Sequence, residues 1–252
     1  GISGWTYPPW RGEFYPPGLP QRRELAYVAE RMNSVEINGS FYALQRRTSF
    51  AAWAASVPDD FVFAVKGGRF ITHMKKLSGV ETPLANFFAS GVLALDQKLG
   101  PILWQLPPNL GFDAERIDAF CTQLPRTAGS AAMIAANHDQ RVADDHALIK
   151  AAHPRQQLRH AIEVRHESFR TPEFYELLRQ HKIALVVADN PGQWPIITEI
   201  TTDLMYVRLH GHDQLYASGY SDQELDEWAA KITSWTEQGC DVYVYCDNDA
   251  KV

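Results

Sequence analysis

The sequence predicts an α/β barrel of the (β/α)8 kind, and three observations predict it. Eight apolar runs are spread along the chain, most of them separated by stretches of helical spacing, an alternation that belongs to a parallel sheet closed on itself. Ionisable residues collect at the C-terminal ends of these runs. Lys66 closes residues 61–65, Glu163 and Arg165 lie in 161–166, and Asp189 closes 184–188. Arg208 and His210 end 205–209, and Asp247 follows 242–246. Polar groups at one end of many strands describe the ligand face of a barrel. The length, 252 residues, is ordinary for one such domain. A doubly wound open sheet is the competing arrangement. Its usual marks are missing: no Gly-x-Gly-x-x-Gly follows the first strand, and no Gly-Lys-Ser/Thr phosphate loop is present.

Each element has its own justification. Residues 2–5 form a short first strand. Residues 6–19 hold four prolines, two glycines and four aromatics (Tyr7, Trp10, Phe14, Tyr15), which predicts a loop stiffened by ring packing. Residues 21–32 have helical spacing. In 34–42 Val35 and Ile37 point one way, while Glu36, Asn38 and Ser40 point the other. A helix near 48–56 precedes a strand over 61–66, and Lys66-Gly67-Gly68-Arg69 leaves that strand as a basic turn. Thr82-Pro83 predicts an N-cap and first helical residue for 83–98. Residues 101–106 are the fourth strand, and Asp113 caps a helix to about 124. Residues 125–158 are expected to be an extra helical excursion within a single domain spanning 1–252, since their apolar content could not fill a core alone. Strands over 160–166, 184–190, 205–211 and 242–246 complete the set. Thr171-Pro172-Glu173 starts one helix and the capping box Ser221-Asp222-Gln223-Glu224 another. Pro191 and Pro195 leave no room for a full helix between the sixth and seventh strands.

Composition narrows the function. Hydrophobic content of 45% and charged content of 21% are those of a soluble globular protein. A net charge of -6 gives no general attraction to nucleic acid or to an anionic membrane, although Arg46, Arg47, Lys66, Arg69, Lys75 and Lys76 could form a local basic rim. Cys121, Cys240 and Cys246 have no metal-type spacing, so a reducing cytoplasm is the expected compartment. No apolar run approaches the roughly 20 residues of a membrane helix. No signal peptide is visible, and the chain starts at Gly1 without a methionine.

Long motifs also carry a resemblance. They are Gly1-Ile-Ser-Gly-Trp5, Gly12-x-Phe14-Tyr15-Pro16, Val35-Glu-Ile-Asn-Gly-Ser-Phe-Tyr42, Phe63-Ala-Val-Lys66 and Arg69-Phe-Ile-Thr-His-Met-Lys75. Further on come Leu103-Trp-Gln-Leu-Pro-Pro108, Glu163-Val-Arg-His166, Tyr206-Val-Arg-Leu-His-Gly211, Leu215-Tyr-Ala-Ser-Gly-Tyr220 and Val242-Tyr-Val-Tyr245 with Asp247-Asn-Asp249. From end to end the chain resembles the YecE-like family, a bacterial and archaeal domain of unknown function 72. The resemblance implies a TIM-type barrel and names no reaction. It also implies a last helix beyond the Asp-Asn-Asp motif. Because the chain stops at Val252, an irregular barrel is expected, with that helix missing or disordered.

The chemistry is therefore read from side chains. Glu36 and Glu163 are the candidate catalytic acid/base pair, since a carboxylate at a strand end can be tuned by burial and a neighbouring charge. The competing reading makes each a salt-bridge partner, Glu163 for Arg208 for instance. His210 is the candidate acid, with Asp189 orienting it or a metal-bound water. Lys66, Arg165 and Arg208 form a cationic lining for carboxylate or phosphate, unless they serve only to neutralise buried carboxylates. Asn38, Tyr42, Gln105 and Trp5 are further candidate substrate contacts, and Trp10, Tyr216 and Tyr220 could stack on a sugar or base. The metal is unknown. His210-x-His212 has amidohydrolase spacing on the wrong strand, and His166, Asp189, Asp247 and Asp249 are potential ligands without a defining motif. Gly211 and Gly219 follow the seventh strand, where barrels often grip phosphate. The expectation is an enzyme acting by acid/base chemistry or hydrolysis on a small anionic or sugar-containing substrate. The alternative is a barrel that binds a ligand or nucleic acid without turning it over.

Overall fold

The computed structural model describes residues 1–211, 215 and 219–247. Eight parallel strands close into a barrel in sequence order: β1 (Ile2–Ser3), β2 (Ser34–Ile37), β3 (Val62–Lys66), β4 (Leu99–Gln105), β5 (His160–Glu163), β6 (Ala184–Asp189), β7 (Leu204–Leu209) and β8 (Asp241–Cys246). Closure joins the two ends of the chain, for Ile2 pairs with Val35 on one side and with Cys246 on the other.

Strand parity sorts the residues between two layers. Ala64, Leu103, Ala161, Ala184, Val186, Ala188, Leu204, Tyr206 and Tyr245 share the interior. The alanines leave the space that the two tyrosines fill, and the tyrosine rings lie 5.2 Å apart. The opposite parity faces outward. Val35, Phe63, Val65, Ile102, Trp104, Ile162 and Leu185 belong to one outer core, and Val187, Met205, Val207 and Leu209 pack with Trp228 and Trp235.

The outer helices are α1 (Glu24–Ala29), the single turn α2 (Gly39–Tyr42), α3 (Arg47–Ala55), α4 (Glu81–Ala89), α5 (Ala114–Gln123), α6 (Ala128–Ala135), α7 (Pro172–Gln180) and α8 (Asp222–Glu237). Asp113 caps α5 by accepting from the Arg116 amide, and Ser221 with Glu224 forms the capping box of α8. No helix occupies the β6–β7 connection, where the two prolines lie. Among the described residues no helix is long and apolar enough to cross a membrane.

Two local expectations are corrected. The β2 strand stops at Ile37, and residues 39–42 coil into α2, where the Ser40 hydroxyl donates to the Lys66 carbonyl at 2.7 Å. The expected helix over 83–98 starts earlier, at Glu81, with no side-chain cap, and breaks after Ala89. Gly91 takes φ +124°, and a Cβ there would stand 2.4 Å from the Arg47 Cα, so α3 packs where a continued helix would need room. The 125–158 excursion holds one regular helix, α6, and the rest is turns and irregular chain. The expected last helix falls on residues outside those described.

Candidate active site

Inward parity at the C-terminal ends of the strands assembles a buried ionic layer. Glu36 on β2 lies beside Ala64 on β3, Gln105 on β4 beside Glu163 on β5, and Arg208 on β7 between Ala188 and Tyr245. The small Ala64 and Ala188 side chains leave the width that a guanidinium needs. Arg208 is fully buried and is the hub. Its Nη2 and Nε donate to the two oxygens of Glu36 at 2.8 and 3.0 Å, a bidentate pair. Nη1 donates to Glu163 Oε2 at 2.8 Å, and Nη2 also stands 2.9 Å from Asp247 Oδ2. Tyr206 and Ser3 complete Glu36 with hydroxyl donors at 2.6 and 3.0 Å. Glu163 Oε1 accepts from Gln105 at 2.8 Å and from Arg165 Nε at 2.7 Å. Arg165 in turn lies with its guanidinium 4.0 Å from the centre of the Trp194 ring. His210, fully buried, places Nδ1 2.8 Å from Asp247 Oδ2.

The charges hold one another ionised. Burial alone would raise the Glu163 pKa, but Arg165 and Arg208 outweigh it and hold the carboxyl well below its ordinary range. Burial likewise opposes ionisation of Asp247, and Arg208 with the His210 contact brings it to about 2. Burial works against the Arg208 charge too, and Asp247, Glu36 and Glu163 more than restore it. Lys66 goes the other way. Burial, then the neighbouring charge of Arg208, pushes its amine down to about 8.

Above this layer opens a cavity of about 630 Å³, bounded by Tyr7, Asn38, Phe41, Tyr42, Lys66, Arg69, His73, Met74, Gln105, Arg165 and Asp247. Among the described residues its charged wall groups are three cations, Lys66, Arg69 and Arg165, against one carboxylate, Asp247. An adjoining apolar cavity of about 500 Å³ shares Phe41, Tyr42, Arg69 and Met74 and reaches Leu44, Phe70 and Phe87. A π-helical turn, Phe70–Met74, delivers His73 to the wall of the mouth cavity and Met74 to the wall shared by both, a wide turn of the kind that often marks functional positions. Burial, then the charges of Lys66 and Arg165, lower the His73 pKa to about 4, so its ring is neutral at neutral pH.

The structure thus brings Glu36, Glu163, Gln105, Arg165, Arg208 and His210 into one bonded array, with Asn38, Tyr42 and Lys66 on the cavity it floors. Asp189 stands apart. Its parity is that of the outward residues Leu185 and Val187, its carboxylate accepts from the Tyr220 hydroxyl at 2.8 Å, and Asp247 takes the place at His210 that sequence reasoning gave it. Trp5 packs edge-on against Trp53 at 5.3 Å, away from the cavity wall. Trp10 packs with Tyr7, Phe14 and Tyr15. His166 caps the turn that follows β5 by accepting from the Ser168 amide. His212, Tyr216 and Asp249 lie outside the described residues. Among the described residues no three His, Cys, Asp or Glu side chains are grouped to hold a metal. Sequence reasoning passed over Tyr7 and His73 as wall residues. His73 stood inside the Arg69–Lys75 motif, but it lies in a turn beyond the end of β3 at Lys66, where strand parity carries no signal.

With this geometry in hand, comparison with known proteins decides the family. The model of the family described as "Protein of unknown function DUF72" matches residues 1–252. The chain belongs to the DUF72 family. It is similar to the UPF0759 protein YunF of Bacillus subtilis, 24% identical over 279 residues, covering 99% of this chain and 88% of that protein. A crystal structure of a DUF72 family protein from Thermotoga maritima superposes with a TM-score of 0.78 at 25% identity, covering 99% of this chain and 92% of the other. A DUF72 family protein from Enterococcus faecalis gives a TM-score of 0.73 at 19% identity, over 99% of this chain and 88% of that one, and bears on the fold alone. The DUF72 description assigns no reaction, so the function rests on the site itself.

Proposed function

We propose that this DUF72 chain is an enzyme acting on a small anionic substrate by acid/base chemistry at the C-terminal mouth of its barrel. One observation carries the reading: among the described residues, Lys66, Arg69, Arg165 and Arg208 stand against Glu36, Glu163 and Asp247 in floor and wall together, four cations to three carboxylates, so the cavity keeps one positive charge in excess. Arg165 and Arg69 are the anion-holding groups, and Arg165 is held in place beforehand by Glu163 and by the Trp194 face. Lys66 and Asp247, both on the wall, are the proton-transfer groups, Lys66 because its pKa of about 8 lies near a working pH. Glu36 and Glu163 move from acid/base roles to positioning ones, since every carboxylate oxygen of the pair already accepts from a buried donor. His210 orients Asp247. Asn38, Gln105, Tyr42 and Phe41 offer amide and ring contacts for the rest of the substrate, which could include a sugar. Hydrolysis fits the same wall if Asp247 takes a proton from water. The free Cys121, Cys240 and Cys246 favour a reducing compartment, the cytoplasm.

Calorimetric titration with inorganic phosphate tests the reading. The parent chain is expected to bind, and Arg69→Ala, an exposed change that spares the floor, to weaken binding by roughly ten-fold, about 1.4 kcal/mol for one charge-assisted contact. Arg165→Met should weaken it further. Phosphate affinity that is absent, or equal in all three proteins, overturns the proposal. Binding confined to oligonucleotides and steeply salt-dependent would favour the non-catalytic nucleic-acid barrel instead.

A further inference from the structure

Lys66 stands out from Lys98, which is also partly withdrawn from solvent. Lys98 donates to the carbonyls of Ala54 and Val57 at 2.7 and 2.9 Å and stands 3.5 Å from Asp59. Lys66 is 8% exposed, yet its amine forms no ion pair or hydrogen bond with any described residue. It lies 4.4 Å from the centre of the Phe41 ring and opens on the mouth cavity. Burying an ammonium without a partner is costly, so this amine is arranged for its neutral form. Withdrawal from water next to another fixed cation is how a lysine becomes a nucleophile at neutral pH. Here Arg208, bound to three carboxylates, is that cation.

We propose that Lys66 is a carbonyl-reactive lysine that forms an imine with a small oxo-acid seated in the mouth. The inference rests on the anion site proposed above, which would hold the acid group while the carbonyl carbon meets Nζ. The neutral amine adds its lone pair to the carbonyl carbon, and as the oxygen takes up a proton the nitrogen gives up one of its two, leaving a neutral carbinolamine. The C–O bond then breaks with a second proton delivered to the leaving hydroxyl, and nitrogen sheds its proton. Amine and carbonyl become imine and water, with no change of oxidation state. With a pKa of about 8, roughly a quarter of Lys66 is neutral at pH 7.5, against about one part in a thousand for an exposed lysine.

The test incubates the full chain with pyruvate and sodium cyanoborohydride and maps the reduced adduct by mass spectrometry. Lys66 should be labelled faster than the exposed Lys75 and Lys150 by roughly one to two orders of magnitude, following its neutral fraction. Inorganic phosphate should slow that labelling, and Arg69→Ala should reduce it. Lys66→Met should lose the adduct while its melting temperature stays close to the parent's, since no ion pair or hydrogen bond to a described residue is removed. Labelling of Lys66 no faster than of Lys75 overturns the inference. If phosphate still binds in that case, the imine fails while the anion site stands. Rapid labelling that phosphate does not slow overturns the assignment of an oxo-acid held at the site.

Discussion

Arg208 decides the character of the site at the residue scale. It satisfies three carboxylates inside a barrel core, and for Glu163 and Asp247 its charge works against the burial that would otherwise neutralise them. Removing one member of such an array leaves charge buried and uncompensated, which costs about 3–5 kcal/mol. Arg208→Met is therefore expected to lower stability by that order in urea unfolding. Glu163→Gln should cost less, because Arg208 keeps Glu36 and Asp247. A triple change that replaces Arg208, Glu36 and Glu163 with uncharged residues should regain part of the loss. Equal and small effects of the two single changes would show that the array is not the structural floor described. The participants were legible in the sequence, since Glu36, Glu163 and Arg208 sit late in strands and share inward parity. Their roles were not, because occupancy of a carboxylate depends on which strands face each other across the barrel. Asp189 shows the same limit from the other side. Its place at a strand end attracted a catalytic reading, but its parity with Leu185 and Val187 points it to the outer layer.

At the element scale, β4 and β5 tie the 125–158 excursion to the barrel through a neutral histidine. Trp104 Nε1 donates to His160 Nδ1 at 3.2 Å, and His160 Nε2 stands 2.8 Å from the Pro125 carbonyl. The ring must therefore carry its proton on Nε2 and keep Nδ1 as an acceptor. Burial lowers its pKa to about 4. Since the folded state resists a proton that the unfolded state accepts near pH 6.5, stability is full above pH 6.5 and falls between pH 6.5 and 4. The contribution is on the order of 3 kcal/mol. Unfolding free energies measured across that window should show the slope, and His160→Gln should flatten it. An unchanged slope in that variant would remove His160 from the account. Close packing also explains the local features that pattern reading missed. A Cβ on Gly67 would stand 2.3 Å from the Trp104 ring, so the residue after Lys66 is glycine for contact rather than for the flexible turn its sequence implies. Gly91 ends α4 for the similar reason that α3 passes over it. Neither collision is visible along one chain, whereas the caps at Asp113 and Ser221 are local and were read directly.

At the scale of the whole molecule, an interlocked ionic floor supports a mouth lined by Lys66, Arg69 and Arg165 at the C-terminal end of a closed parallel barrel. The eight strands and their order were legible because hydrophobic runs and interleaved helices repeat along the chain. The gap after β6 was legible from Pro191 and Pro195. The mouth was half legible: its cations follow from strand ends, but the walls supplied by α2 and the π-helical turn depend on how those segments coil after their strands. The account stands on a small anion resting between Lys66, Arg69 and Arg165. Selenate, a tetrahedral anion located directly by the anomalous scattering of its selenium, tests that claim in a crystal of the parent chain. The account predicts selenium density in the mouth cavity within hydrogen-bonding reach of those three side chains, lost in crystals of Arg69→Ala grown in the same solution. Density confined to the outer surface, with the mouth holding none, would contradict it.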